Sequence, residues 1–90
     1  MSNAPTTNAP IAPATLARFV QYAEDAGNWG GSPLVGGNVG GDAADKGFVL
    51  NMKKAGLVTT CADDGCVWID FTDAGALLAE QHGVENVREA

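Results

Sequence analysis

The spacing of apolar residues first predicts a helix near the start of the chain. Between Pro13 and Ala26, apolar side chains recur at i, i+3, i+4 and i+7, which places them on one helical face; they are Leu16, Phe19, Val20 and Ala23. Gly27 is positioned to end this helix in a left-handed conformation. The polar residues of the segment are then expected to face water; they are Arg18, Gln21, Glu24 and Asp25.

A second helix is predicted from Asp42 to Ala55, with Gly56 as its stop signal. Asp42 is available as the N-cap, and Asp45 lies near the positive end of the helix. Gly47 weakens the helix by about 1 kcal/mol relative to alanine and leaves room for the close approach of another helix or a ligand.

After Gly56 the pattern changes to that of a β-hairpin followed by a third helix. The strand that begins at Leu57 is reversed by the loop Ala62 to Gly65, and the return strand is Val67 to Phe71. Alternation along the return strand sends Val67, Ile69 and Phe71 towards the core and leaves Trp68 on the outer face. Thr72 is a natural cap for the last helix, which is expected to run to Gly83.

The segment from Gly27 to Gly41 is rich in glycine and predicts a loop. Neither a Walker pattern nor a dinucleotide fingerprint is present, so tight turns are favoured over phosphate binding. Leu34 and Val35 are expected to form an extended piece that pairs with the hairpin. Trp29 is expected to pack beneath the loop as a core residue.

These elements predict one small α+β domain. Residues 1–12 are expected to be a disordered leader, residues 13–83 the domain, and residues 84–90 a short extra turn or a frayed tail. The core is expected to contain nine apolar residues from all the elements: Leu16, Phe19, Val20, Val49, Met52, Leu57, Ile69, Phe71 and Leu77.

Two runs of sequence resemble winged helix-turn-helix proteins, in particular bacterial regulators of the MarR and ArsR kind. The first is Met52 to Val58, followed by an acidic turn, and the second consists of Trp68 to Thr72 and Gly75 to Leu78. They are similar to the recognition-helix end, the wing and the following helix of that family, over about half of the chain. The resemblance implies a winged helix with three helices and a hairpin wing, and a DNA-binding regulatory role, although the same fold also serves in protein docking and dimerisation.

Charge qualifies the DNA-binding hypothesis. The chain has 90 residues, eleven acidic against five basic, and a formal net charge of −6. Binding to DNA through bulk electrostatics is therefore excluded, and any contact has to be local. Lys46, Lys53 and Lys54 are the candidate DNA contacts, with Lys53 and Lys54 alternatively a solvated helix end favoured by the helix dipole.

The same sequence also departs from the pattern of DNA-binding winged helices. Asp42 and Asp45 would repel the DNA backbone, and the wing tip carries Asp63 and Asp64, where DNA binders usually carry basic residues. A second hypothesis follows, in which the chain is an acidic winged-helix module of bacterial or phage origin, an accessory protein or inhibitor that docks on a protein. Trp68, Asp63 and Asp64 are its candidate contacts, and a homodimer is a further option.

The remaining reactive residues predict no catalysis and no metal site. Cys61 and Cys66 stand at opposite ends of the hairpin turn; direct pairing would bring them within disulfide reach, whereas a shifted register would pair Cys61 with Trp68. His82, the only histidine, is expected to be structural. No nucleophile has a nearby base, so we expect no enzyme, no cofactor and no small-molecule substrate.

No apolar run reaches the length of a membrane span, and the first residues lack a signal-peptide pattern. The sequence therefore predicts a cytoplasmic protein without a membrane partner, in which free thiols are favoured.

Overall fold

A computed structural model describes residues 11–88. Within that range the chain forms three α-helices, one 3₁₀ turn and a two-stranded antiparallel sheet, an α+β architecture. In chain order the elements are α1 (Pro13–Asp25), the 3₁₀ turn (Ala26–Asn28), α2 (Asp45–Lys54), β1 (Val58–Asp63), β2 (Cys66–Phe71) and α3 (Asp73–Gln81). Residues 1–10 of the expected leader and residues 89–90 of the expected tail lie outside the described range.

Helix α1 forms as its periodicity predicts, with Pro13 in the first turn, where proline is tolerated. Its buried face carries Phe19, Tyr22 and Ala23. The expectation that Gly27 ends the helix in a left-handed conformation is wrong. The chain instead tightens into the 3₁₀ turn, and the left-handed positions are Gly30 and Gly31.

The glycine-rich loop runs alongside β2, as expected for Leu34 and Val35. Leu34 forms an isolated antiparallel bridge with Trp68, and the Val35 N–H donates to the Val67 carbonyl at 2.9 Å. These contacts add a short third strand segment to the edge of the hairpin, which satisfies backbone groups that the two-stranded sheet would leave unpaired.

Helix α2 begins three residues later than its sequence signals suggest. Its N-cap position is Ala44, which makes no side-chain cap, and the Asp42 side chain is bound by Arg18 instead. The expected N-cap role of Asp42 is therefore wrong. At the other end, Gly56 adopts a φ of +78°, so the predicted stop is confirmed. A Cβ at Gly47 would meet nothing within 4 Å, so this glycine does not serve the close approach of another helix of the described chain.

The hairpin closes on a two-residue turn, Asp64 and Gly65, whose φ values are 54° and 81°. Positive φ at both positions matches the right-handed twist of the flanking strands. In β2, Ile69 and Phe71 are buried as the alternation predicts. Val67 is 38% exposed, so its expected core position is wrong; it lies nearer the hairpin turn than Ile69 and Phe71 do.

Helix α3 begins as predicted at Thr72. The Thr72 hydroxyl oxygen accepts from the Gly75 N–H at 3.0 Å and donates to the Gly56 carbonyl oxygen at 2.6 Å. Gly75 is buried against the Leu57 carbonyl, where a Cβ would overlap the backbone. The helix is thus held directly against the strand entry.

Beyond the left-handed Gly83, residues 84–88 return to the body of the protein. Val87 is 2% exposed, and the Arg88 guanidinium donates to Asp73 at 2.8 Å. The backbone of Arg88 lies so close to Gly31 that a Cβ there would collide with it.

One core joins all of these elements. Five of the nine residues expected there are buried, namely Phe19, Met52, Leu57, Ile69 and Phe71. Leu16, Val20 and Val49 pack against this core while only partly buried. Leu77 is half-buried beside Val87 and Arg88, so its expected core position is wrong. Phe19 and Phe71 meet edge to face, with ring centroids 5.7 Å apart.

Candidate functional site

Helix α2 presents the three candidate DNA-contacting lysines to solvent. Lys46, Lys53 and Lys54 are all exposed, and none forms a salt bridge with another described residue. Both arginines, in contrast, are paired with aspartates. The unpaired side-chain cations of the described residues therefore lie together on α2.

Asp42 and Asp45, near the start of α2, do not neutralise the positive charge of these lysines, although their positions in the sequence suggest that they would. Asp45 is 2% exposed, and its carboxylate accepts from the Arg18 guanidinium at 2.7 Å. Asp42 is exposed, but it also faces Arg18, at 3.3 Å. The hydrogen bond from Arg18 holds the pKa of Asp42 below its usual range, so this carboxylate is charged and paired.

Asp45 is the anchor of the site. Besides Arg18, it accepts from the fully buried Tyr22 hydroxyl at 2.7 Å and from the Gly41 N–H at 3.2 Å. Burial is the main cause that raises the pKa of Tyr22, and the hydrogen bond to Asp45 raises it further, so the phenol stays protonated. A Cβ at Gly40 would overlap both side chains, which explains a glycine there. Helix α1 and the loop thus fix the position of α2.

Only two of the four polar residues of α1 that were expected to face water are exposed. The expectation is wrong for Arg18, whose side chain is 16% exposed, and for Asp25, which is 6% exposed. Its carboxylate accepts from Asn28 at 2.8 Å, from Asn38 at 2.9 Å and from the Trp29 Nε1–H at 2.7 Å. Burial alone would raise the pKa of Asp25, but the three hydrogen bonds outweigh it and hold that pKa below its usual value. This second anchor fastens the glycine-rich loop.

A groove with a volume of about 770 Å³ separates α2 from the hairpin. Lys46, Leu50 and Lys53 form its helical wall, and Thr60 and Val67 form the opposite wall. Lys54 does not line it. Leu50 is 48% exposed and Val67 is 38% exposed, and they are the large hydrophobic residues that the described structure leaves in water.

The candidate protein contacts lie on the other face of the hairpin. Asp63 and Asp64 are exposed at its tip. Trp68 is half-buried, because the Trp29 ring meets it edge to face with centroids 5.6 Å apart. Trp29 itself is half-buried between this contact and the loop, so it is less enclosed than a core residue. The lysines and Trp68 therefore occupy different surfaces.

The observed register decides between the two arrangements considered for the cysteines. Cys61 is opposite Trp68, and Cys66 is opposite Asp63, so the thiols are diagonal neighbours and both are free. Diagonal positions on one sheet face are about 7–8 Å apart, which exceeds the usual Cα separation of a disulfide.

Other reactive side chains do not assemble near these surfaces. The described residues contain no group of three His, Cys, Asp or Glu side chains that could hold a metal ion. His82 is exposed at the end of α3, where its backbone N–H donates to the carbonyl oxygens of Leu78 and Ala79. No helix in the described range is long and apolar enough to cross a membrane.

Comparison of the chain with protein-family models, with curated proteins and with solved structures finds no significant match. What the chain does has to be inferred from its own residues.

Proposed function

We propose that this chain is a small DNA-binding regulatory protein with a winged-helix architecture, and that α2 is the helix that contacts DNA. The observation that carries the proposal is the concentration on α2 of three exposed lysines that pair with no acid among residues 11–88, in a protein of net charge −6. A helix with exposed lysines along it is able to contact phosphates or base edges in a major groove.

The three helices and the two-stranded sheet are compatible with a winged helix, in which the hairpin would be the wing and α3 the helix that follows. The connection between α1 and α2 differs from the tight turn of a helix-turn-helix. Residues 26–44 span it, and the Arg18, Tyr22 and Asp45 contacts hold the two helices together. That network replaces the turn in positioning α2.

Few phosphates can be neutralised, so binding should be modest and sensitive to salt. Three lysines release about three counterions, which corresponds to an affinity loss of about fortyfold between about 50 and about 200 mM NaCl. Fluorescence anisotropy with a labelled mixed-sequence duplex measures this slope directly.

Charge reversal tests the surface. Lys46→Glu should weaken binding more than Lys53→Glu, because Lys46 lies nearer the start of α2, which enters the groove in winged helices. Arg88→Glu is the matched control; it changes the net charge equally, but Arg88 pairs with Asp73 on α3. An equal loss in all three variants would mean that only net charge matters, and nanomolar binding that survives both lysine substitutions would place the interface elsewhere.

A second candidate function is protein docking through the outer face of the hairpin. The partial exposure of Trp68 beside the exposed Asp63, together with Asp64 at the tip, favours a basic partner surface. Affinity capture with the wild type and with Trp68→Ala tests it. A partner retained equally by both proteins would count against this face.

A further inference from the structure

The groove between α2 and the hairpin combines basic and apolar side chains, a lining that differs from the purely basic surface expected for phosphate binding. Lys46, Leu50 and Lys53 follow one another at i, i+4 and i+7, so they form a single ridge along the helix. A ridge that alternates basic and apolar side chains suits a partner that is itself apolar and acidic, whereas DNA would leave Leu50 largely unused.

Exposed apolar side chains on two facing walls are the second feature. Leu50 on α2 and Val67 on β2 remain 48% and 38% exposed, while Val35 and Val49 complete the apolar lining. Leaving both in water costs free energy in the isolated chain, and burial by a partner would recover it. Contiguous exposed apolar surface with a polar rim is typical of interaction sites.

The charge on the rim is positive. Asp42 and Asp45 also line the groove, but their carboxylates are bound by Arg18 on the α1 side. Lys46 and Lys53 have no carboxylate within salt-bridge distance among the described residues. Two unpaired ammonium groups therefore flank an apolar cleft.

We propose that this groove binds an amphipathic segment of a partner protein that presents aliphatic side chains flanked by Asp or Glu. Lys46 and Lys53 are seven residues apart, which is about 10 Å along a helix at about 1.5 Å per residue. A helical partner with acids two turns apart, and with apolar anchors between them, matches this spacing.

A second copy of this chain fits the groove less well. In a two-fold symmetric contact the same patch meets itself, so Lys46 and Lys53 of one copy would face the same lysines of the other. Insertion of the acidic hairpin tip of one copy into the groove of the next would bring Asp63 and Asp64 near the lysines, but the tip carries no large aliphatic side chain to fill the apolar cleft. The lining therefore favours a segment of a different protein that combines acidic and aliphatic side chains.

The test uses a fluorescein-labelled amphipathic peptide of about 14 residues, or about four helical turns, with Leu at i, i+3, i+4 and i+7 positions and Glu on both flanks. Its Lys-for-Glu counterpart is the control probe. Anisotropy is measured with the full chain, and amide chemical shifts locate the contact. We expect the acidic peptide to bind and to shift the amides of Leu50, Lys53 and Val67, and the basic peptide to bind at least tenfold more weakly.

Leu50→Ser combined with Val67→Ser should weaken the acidic peptide about tenfold, because their exposed parts together equal about one aliphatic side chain. Both residues are already exposed, so circular dichroism should show an unchanged fold. Lys53→Gln should weaken binding by up to about fivefold. Lys54→Gln, on the same helix but outside the groove, should leave it unchanged.

Several results would overturn the proposal. The first is the absence of binding by the acidic peptide, and the second is binding to the Leu50→Ser/Val67→Ser variant as strong as to the wild type. A loss of peptide affinity with Lys54→Gln equal to that with Lys53→Gln would also contradict it, as would a dimer in sedimentation equilibrium that dissociates when Leu50 is replaced. If the proposed DNA binding also holds, peptide and duplex should compete for Lys46 and Lys53. Because the peptide is measured without DNA, failure of either proposal is distinguishable from failure of the other.

Discussion

Replacement of Asp45 by asparagine should destabilise this protein far more than the same replacement at Asp42. Asp45→Asn preserves the size of the side chain but removes its charge. The Asp45 carboxylate accepts hydrogen bonds from Arg18, Tyr22 and Gly41, and the amide NH₂ of asparagine would face at least one of these donors without being able to accept from it. The Tyr22 hydroxyl is fully buried, so it cannot turn to water instead.

The size of the effect follows from the hydrogen bonds that the substitution removes. A charge-assisted hydrogen bond contributes about 1.5–3 kcal/mol, and an unsatisfied buried hydroxyl costs about 1–3 kcal/mol. We expect a decrease in the free energy of unfolding of about 3 kcal/mol, from a total of about 5–15 kcal/mol for a small domain. With a urea m-value of about 1.5 kcal/mol/M, the midpoint should move by about 2 M.

Urea unfolding followed by far-UV circular dichroism measures the change, with Asp42→Asn as the matched control. The Asp42 side chain is 59% exposed, so water compensates for its hydrogen bond with Arg18 and the effect should be small. A double-mutant cycle with Tyr22→Phe should show coupling between Tyr22 and Asp45 of about 1 kcal/mol or more. Equal midpoints for the Asp45 and Asp42 variants, or the absence of coupling, would show that Asp45 is not the anchor of α2.

Four further predictions concern the core, the loop, the third helix and the tryptophan pair. Phe71→Ala should cost about 3–5 kcal/mol, because it removes a buried ring packed on Phe19, and an unchanged melting temperature would contradict that placement. The pKa of Asp25 is lowered in the folded state, so its contribution to stability is present above about pH 4 and is lost as the pH falls through the folded pKa; Asp25→Asn should flatten acid unfolding curves in that range. Gly75→Ala should destabilise strongly, since its Cβ would overlap the backbone of the strand entry, and a wild-type urea midpoint would refute this contact. With Trp29→Phe made to isolate the signal, Trp68 should remain partly accessible to acrylamide, and complete protection in a monomeric sample would mean that it is core.

The sequence by itself determined the features that depend on near neighbours in the chain. The apolar face of α1, the left-handed stop at Gly56 and the Thr72 cap all appear where their local patterns placed them. These three signals act within one helical turn or its cap, so they do not depend on how the elements are arranged in space. The predicted pairing of Leu34 with the hairpin is also observed, although it joins two segments that are distant in the sequence.

Only the tertiary structure decided which polar residues are buried. Asp45 and its partner Arg18 are separated by 27 residues, and Asp25 and Asn38 by 13. No periodicity reveals such pairs: the pattern of α1 places Asp25 on the face towards water, and the position of Asp45 indicates only that it lies near the positive end of α2. Asp42 and Lys46 are both exposed. Because Asp42 pairs with Arg18, its carboxylate is not available to neutralise Lys46.

The groove could not be predicted from the sequence either. Alternation correctly placed Val67 on the same face as Ile69, yet only Ile69 is covered. Strand alternation specifies the side of the sheet on which a residue lies, but not how far along the strand the packing helix extends. Here a groove lies between α2 and the hairpin, and Leu50 and Val67 on its two walls remain exposed in the described part of the chain.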